Sequence, residues 1–132
     1  MSNGLMVVVL IASGSAFALP SEAVKLKAAR EKIQAKITKL NTDLVCKKDD
    51  DCVALAMGKK PCGGAWKFIA ASRRNKKFNV LEKALGDYAK TDEAYNKAAD
   101  LMSDCSMTMA PTVTCKEKKC QVTAVAEDLK PQ

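Results

Sequence analysis

Six cysteines in a chain of 132 residues are the feature that most limits how this sequence folds. The cysteines are Cys46, Cys52, Cys62, Cys105, Cys115 and Cys120. An even number of cysteines in a small exported domain is typical of a disulfide framework, which compensates for a modest hydrophobic core. We therefore predict three disulfides.

The pairing of these cysteines is left open by their order in the chain. Cys115 and Cys120 flank a polar turn between two runs rich in Thr and Val, so a hairpin would bring them within disulfide reach. The same hairpin is equally compatible with one cysteine on each face. The long gap after the third cysteine predicts that at least one bridge joins the first three cysteines to the last three.

The chain contains no histidine, and this excludes several classes of chemistry. Serine or cysteine catalysis that uses a histidine base, histidine-ligated zinc or haem, and a histidine pH switch are all removed. No Cys-x-x-Cys pair occurs, which disfavours a zinc site made of cysteines alone. We expect no metal, no cofactor and no catalytic residue, and hence a protein that is not an enzyme.

The first 18 residues have the pattern of a signal peptide. An apolar stretch from Leu5 to Ile11 precedes small residues at Ala16 and Ala18, and it is too short to span a membrane. We predict cleavage at Ala18, export to the periplasm or the medium, and no transmembrane segment in the mature chain. The alternative is a short buried helix of the domain.

Two amphipathic helices are predicted from apolar residues at three- and four-residue spacing. The first runs from Ser21, as N-cap, to about Leu44. The second begins with a capping box at Asn79 and Glu82 and ends near Met102. Its predicted buried stripe consists of Leu81, Leu85, Tyr88, Tyr95, Ala99 and Met102.

Short runs with strand composition surround the second helix, so the predicted class is α+β, with a small antiparallel sheet of three to five strands. The predicted strands are 52–57, 66–72, 107–109, 112–115 and 120–125. A helix over 65–74 is the alternative for the second of them. The predicted organisation is a signal peptide at 1–18, a basic amphipathic helix at 19–45, a disulfide-stapled core at 46–126 and a tail at 127–132.

The chain is basic, with 22 Lys and Arg against 15 Asp and Glu and a net charge of +7. A candidate anion-binding surface consists of Lys59, Lys60, Arg73, Arg74, Lys76 and Lys77. An exported basic domain has anionic envelope components or an acidic protein as available partners. Nucleic acid is not expected, because the chain is exported and has few aromatic residues to stack on bases.

A glycine-rich loop supports a second hypothesis, namely an inhibitor of a secreted enzyme that uses a rigid loop as a plug. The candidate binding residues are Gly58, Pro61, Gly63 and Gly64. A turn pinned by a disulfide and needing positive φ explains Gly63 and Gly64 without any ligand. A third hypothesis is a small hydrolase or toxin that relies on carboxylates, for which the candidates are Asp87, Asp92, Glu93, Asp100 and Asp104.

The cysteine and glycine pattern from residue 46 to residue 120 resembles that of small exported bacterial proteins of uncharacterised function. The shared features are the Cys-x5-Cys pair, the Cys-Gly-Gly at Cys62, the Ser-Asp-Cys at Cys105 and the closing Cys-x4-Cys pair. The resemblance implies a periplasmic or secreted domain. It implies no enzyme activity.

Overall fold

The computed structural model describes residues 18–125, which form two helices, four strands and one short 3₁₀ turn. Their order is α1 (Ser21–Leu40), the 3₁₀ turn (Asp49–Asp51), β1 (Cys52–Met57), β2 (Lys67–Ser72), α2 (Phe78–Ala98), β3 (Thr112–Lys116) and β4 (Lys119–Ala124). The predicted α+β class and the long helix between strand pairs are confirmed. The signal peptide, apart from Ala18, and the predicted tail lie outside the described residues.

The bounds of α1 differ from the prediction at both ends. Pro20, not Ser21, is the N-cap, because the first helical hydrogen bond runs from the Val24 N–H to the Pro20 carbonyl over 3.2 Å. The helix ends at Leu40 rather than Leu44. Its C-cap, Asn41, donates a side-chain hydrogen bond of 2.8 Å to a carbonyl of β2, which ties the end of the helix to the sheet.

The predicted capping box of α2 is wrong, because Asn79 lies inside the first turn and Lys77 is the N-cap. Asn75 organises the chain just before the helix instead. Its Oδ1 accepts the Lys77 N–H at 2.9 Å, and its carbonyl accepts the Phe78 N–H at 2.9 Å. These two bonds set the direction from which the chain enters α2.

The C-terminus of α2 also lies earlier than predicted, at Ala98 rather than Met102. Asp100 adopts a left-handed φ of 50°, and the Leu101 N–H reaches back to the Asn96 carbonyl at 2.9 Å. These features form a Schellman motif, which usually carries glycine at the left-handed position. Because this position carries aspartate instead of glycine, the end of the helix could not be recognised from the sequence.

The strands form two separate two-stranded antiparallel sheets rather than one sheet of three to five strands. β1 pairs with β2, and β3 pairs with β4. The pairing of β1 with β2 excludes the alternative helix over 65–74. Residues 107–109 are not a strand, since the segment between the Cys105 bridge and Pro111, which lacks an N–H, pairs with no neighbour among the described residues.

The hydrophobic core lies where α1 and α2 pack against each other and against the first hairpin, which consists of β1 and β2. Its buried members are Ile37, Met57, Ala71, Leu81, Ala84, Leu85 and Tyr88. Within residues 18–125, no helix is both long enough and apolar enough to cross a membrane.

The three predicted disulfides form, and all three of them, where at least one was predicted, join the first three cysteines to the last three. Their pairs are Cys46–Cys115, Cys52–Cys120 and Cys62–Cys105. A Cys115–Cys120 bond does not form: the two residues are opposite each other in the β3–β4 register, but each bonds a cysteine of the first half. The sulfurs of Cys46, Cys52 and Cys120 lie within 4.8 Å of one another, so two bridges form a compact second core. Such a framework is typical of oxidising compartments outside the cytoplasm.

Candidate functional site

The glycine-rich loop at 58–64 follows β1 and is anchored on α2 by a buried carboxylate. The Oδ2 of Asp92 accepts the backbone N–H of Lys59 at 2.8 Å, while its Oδ1 accepts the Arg30 guanidinium of α1 at 2.7 Å. The Asn96 amide donates to the Lys59 carbonyl at 2.6 Å. Asp92 is fully buried, so one side chain joins both helices to the loop.

Only glycine fits at the first position of this loop. Gly58 has a φ of 81°, and an added Cβ would lie 2.7 Å from the Trp66 ring and 3.0 Å from the Asp92 carboxylate. Gly63 and Gly64 also have positive φ, but an added Cβ would meet nothing within 4 Å at either position. The first glycine is therefore required by packing and backbone together, and the other two by backbone conformation alone.

Lys60 anchors the loop on its second side, which faces the segment around Cys105. Its side chain is buried, and its Nζ donates to the Ser106 carbonyl at 2.8 Å and lies 5.7 Å from the centre of the Trp66 ring. The Cys62–Cys105 disulfide joins the same two segments. The tip of the loop, from Pro61 to Gly64, is exposed. The loop is thus an exposed tip on a rigid base.

The amines of Lys59 and Lys60 are engaged within the protein. The Lys59 Nζ lies 3.0 Å from Glu93, and this hydrogen bond holds the pKa of the Glu93 carboxyl below its usual value. Because the pKa is depressed, the interaction is fully present above the ordinary carboxyl pKa and is lost only as the pH falls through the lowered one. Hydrogen bonds from Ser106 lower the pKa of Asp104, which also lies 3.7 Å from Lys60.

The remaining four candidate anion-binding residues, Arg73, Arg74, Lys76 and Lys77, are exposed in the turn between β2 and α2. We call these four residues the basic end. They lie at the opposite end of the first hairpin from the loop, and a strand of this length spans roughly 20 Å. The structure therefore divides the six predicted residues into two separate groups.

Two further lysines, which were not predicted for this surface, are Lys118 in the turn between β3 and β4 and Lys119 at the start of β4. The carbonyl of Lys118 accepts the Cys46 N–H at 3.0 Å, and the adjacent Val45 carbonyl accepts the Ser72 hydroxyl. Lys118 and Lys119 consequently lie at the same end of the molecule as Arg73. The cysteine pairing would have shown this juxtaposition, but the sequence leaves the pairing open.

Two acidic residues near the basic end, Asp49 and Asp51, accept backbone N–H groups. Asp51 accepts the N–H groups of Lys47 and Lys48, which lowers its pKa, with the bond from Lys47 as the largest cause. Asp49 accepts the Cys115 N–H at 2.8 Å. These carboxylates are used to fix the chain beside the disulfides.

The carboxylates of the hydrolase hypothesis do not meet at one point. Asp87 binds Lys83 at 3.0 Å, Asp92 is buried under the loop, and Asp104 faces Ser106. Glu93 and Asp100 border one pocket, beside the base of the loop.

No family model, curated protein or solved structure matches this chain. The resemblance to small exported bacterial proteins therefore stays a prediction. The geometry and charge of the protein's own residues are therefore the basis for inferring its function.

Proposed function

We propose that this protein is an exported, non-enzymatic binding protein, periplasmic or secreted, that engages an anionic component of the envelope through its basic end. The observation that carries the proposal is the position of four exposed cations at the N-terminus of α2. No acidic residue lies in the first turn of that helix to offset them.

This arrangement is electrostatically unfavourable in the free protein. The N-terminus of a helix carries a partial positive charge, and each cation placed there costs about 0.3–1 kcal/mol. In the first turn the Phe78 N–H is bonded to the Asn75 carbonyl, while the next two N–H groups lack acceptors within the helix. A phosphate or carboxylate bound beside Lys76 and Lys77 would relieve the repulsion and accept hydrogen bonds from these groups.

The disulfides support an envelope or extracellular location, where lipid and lipopolysaccharide phosphates are the abundant anions. Each lysine or arginine close to an anionic membrane surface contributes about 1 kcal/mol of attraction, and screening by salt weakens it over a Debye length. Binding through the basic end should therefore fall steeply with ionic strength.

Replacing Arg73 and Arg74 by glutamine tests the proposal. The partition coefficient onto vesicles that contain phosphatidylglycerol should fall roughly 30-fold at low salt, since about 2 kcal/mol of attraction is lost. A co-sedimentation assay measures it. The matched control is Lys25→Gln with Lys27→Gln on the exposed part of α1, which changes the net charge equally.

Two results would count against the proposal. Equal losses in both double variants would show attraction to net charge rather than to the basic end. An unmodified protein that fails to bind these vesicles and purified lipopolysaccharide, even at low salt, would remove the anionic envelope partner altogether.

A second candidate function, inhibition of a secreted enzyme, is favoured by the rigid base and exposed tip of the loop at 58–64. A loop that is already ordered loses little conformational entropy when it enters a cleft. The buried contacts of Lys59 and Lys60 supply that order without using the tip.

Pro61→Ala tests whether the tip of the loop, rather than its base, makes the inhibitory contact. The substitution should change the free energy of unfolding by less than about 0.5 kcal/mol, because Pro61 is exposed, while raising the inhibition constant about tenfold. Assays against a panel of acidic secreted hydrolases measure the second effect, and urea titration measures the first. Absence of inhibition by the unmodified protein, or equal inhibition by the variant, would reject this candidate.

A further inference from the structure

We propose that the pocket beside the base of the loop binds a primary ammonium or guanidinium group carried on a short aliphatic stem. The pocket has a volume of about 320 Å³ and lies between the loop and the C-terminal end of α2. It is lined by Lys60, Pro61, Glu93, Asn96, Lys97, Asp100 and Leu101. This site is separate from the basic end and would take the opposite charge.

Asn96 provides a buried hydrogen-bond acceptor without a partner. The residue is 4% exposed, and the 2.6 Å contact with the Lys59 carbonyl must be made by its NH₂ group, because two carbonyl oxygens would repel. Its Oδ1 then has no hydrogen-bond partner among the described residues. An unmet buried acceptor is destabilising, and a donor on a ligand would remove that cost.

The lining carries two lysines and two carboxylates, and in the part of the chain that the structure describes the negative groups that it leaves without an ion-pair partner are Asp100 and the end of the helix. Within residues 18–125, Asp100 makes no ion pair, and it follows the last turn of α2. The C-terminus of a helix carries a partial negative charge that favours cations. A ligand that carries both a positive charge and an N–H donor would therefore satisfy Asp100 and the Asn96 Oδ1 together.

The lysines that line the pocket are already engaged. Lys60 donates to Ser106, and the Lys97 amine lies 3.6 Å from Glu93. An anionic ligand would thus compete with existing partners, whereas a cationic one meets free acceptors. Pro61 and Leu101 supply apolar contacts for the aliphatic stem. Two kinds of ligand have this chemistry: a free small amine, and a lysine or arginine side chain of a partner protein.

NMR titration of the oxidised protein with n-butylammonium, with N-acetyl-lysine amide and with neutral n-butanol tests the proposal. Both cations should shift the amide signals of Lys60, Asn96 and Leu101. Asp100→Asn should raise the Kd about twofold to fivefold, as expected when an exposed charge pair is lost. Asparagine tolerates the left-handed φ at this position, so the fold is kept.

The matched control is Asp87→Asn, which removes the same charge roughly 20 Å away along α2 and should leave the Kd unchanged. Tighter binding of the lysine derivative would identify a partner side chain as the source, and tighter binding of the amine would identify a free ligand. Equal shifts with n-butanol, equal effects of the two substitutions, or no shifts with either cation would overturn the proposal.

Discussion

Replacing all four cysteines of the Cys46–Cys115 and Cys52–Cys120 bridges by alanine is expected to unfold the chain, whereas replacing either pair alone lowers its stability without unfolding it. The reason is that the two bridges close nearly the same loop. Their sequence separations are 69 and 68 residues. Either bridge alone lowers the entropy of the unfolded chain by an amount equivalent to roughly 4 kcal/mol.

The cost of losing one bridge is smaller while the other is intact. The remaining bridge already holds the long loop closed, so the second closes only the short segments between neighbouring cysteines, about eleven residues in all, which is equivalent to roughly 3 kcal/mol. Loss of both removes about 7 kcal/mol, comparable to the total stability of a typical domain, about 5–15 kcal/mol. The combined removal should therefore cost about 1 kcal/mol more than the sum of the two single removals.

Urea titration followed by circular dichroism, under oxidising conditions, measures these differences. Alanine is preferred to serine because Cys46 and Cys120 are 1% and 2% exposed, and a buried hydroxyl would lack a partner. The Cys62→Ala, Cys105→Ala pair is the control, since its bridge closes a shorter loop nested inside the other two, with a sequence separation of 43, and lies at the surface. A combined removal that costs no more than a single one would contradict this explanation.

The disulfide framework also shows where prediction from sequence succeeds. The number of bridges follows from the cysteine count in an exported chain, and the α+β class follows from local apolar periodicity. The pairing does not follow, because it depends on residues 44–46 lying beside the start of β4, a contact between distant parts of the chain. The same dependence on tertiary contacts explains the missed ends of both helices, where Asn41 and Asn75 bond across elements.

The candidate site was predictable in part. The positive φ predicted at Gly63 and Gly64 is confirmed, but the burial of Lys60 could not be predicted, since lysine is rarely buried and nothing local marks it. Asp92 did leave a signal. It lies four residues after Tyr88 and three before Tyr95, on the buried stripe of α2. A carboxylate at such a position predicts a buried ion pair, even though its partner cannot be named.

Asp92→Ala is expected to lower the free energy of unfolding by about 3 kcal/mol, because it removes one member of a largely buried ion pair and leaves a backbone donor unsatisfied. Arg30 loses its 2.7 Å partner, and the Lys59 N–H loses its acceptor. The value lies at the low end of the range for buried pairs, since the Arg30 side chain is 24% exposed and also stacks on Tyr95.

The position of Asp92 predicts a second, local effect that a general loss of packing would not produce. Hydrogen exchange at the Lys59 amide should accelerate more than exchange in the core of α2, because the loop loses its anchor on the helix. Asp92→Asn, which keeps an acceptor for Lys59, should protect that amide better than alanine does. Asp87→Ala, on the same helix but at the surface, should cost much less than Asp92→Ala. Equal costs at the two aspartates, or uniform acceleration of exchange, would show that Asp92 does not anchor the loop to the helices.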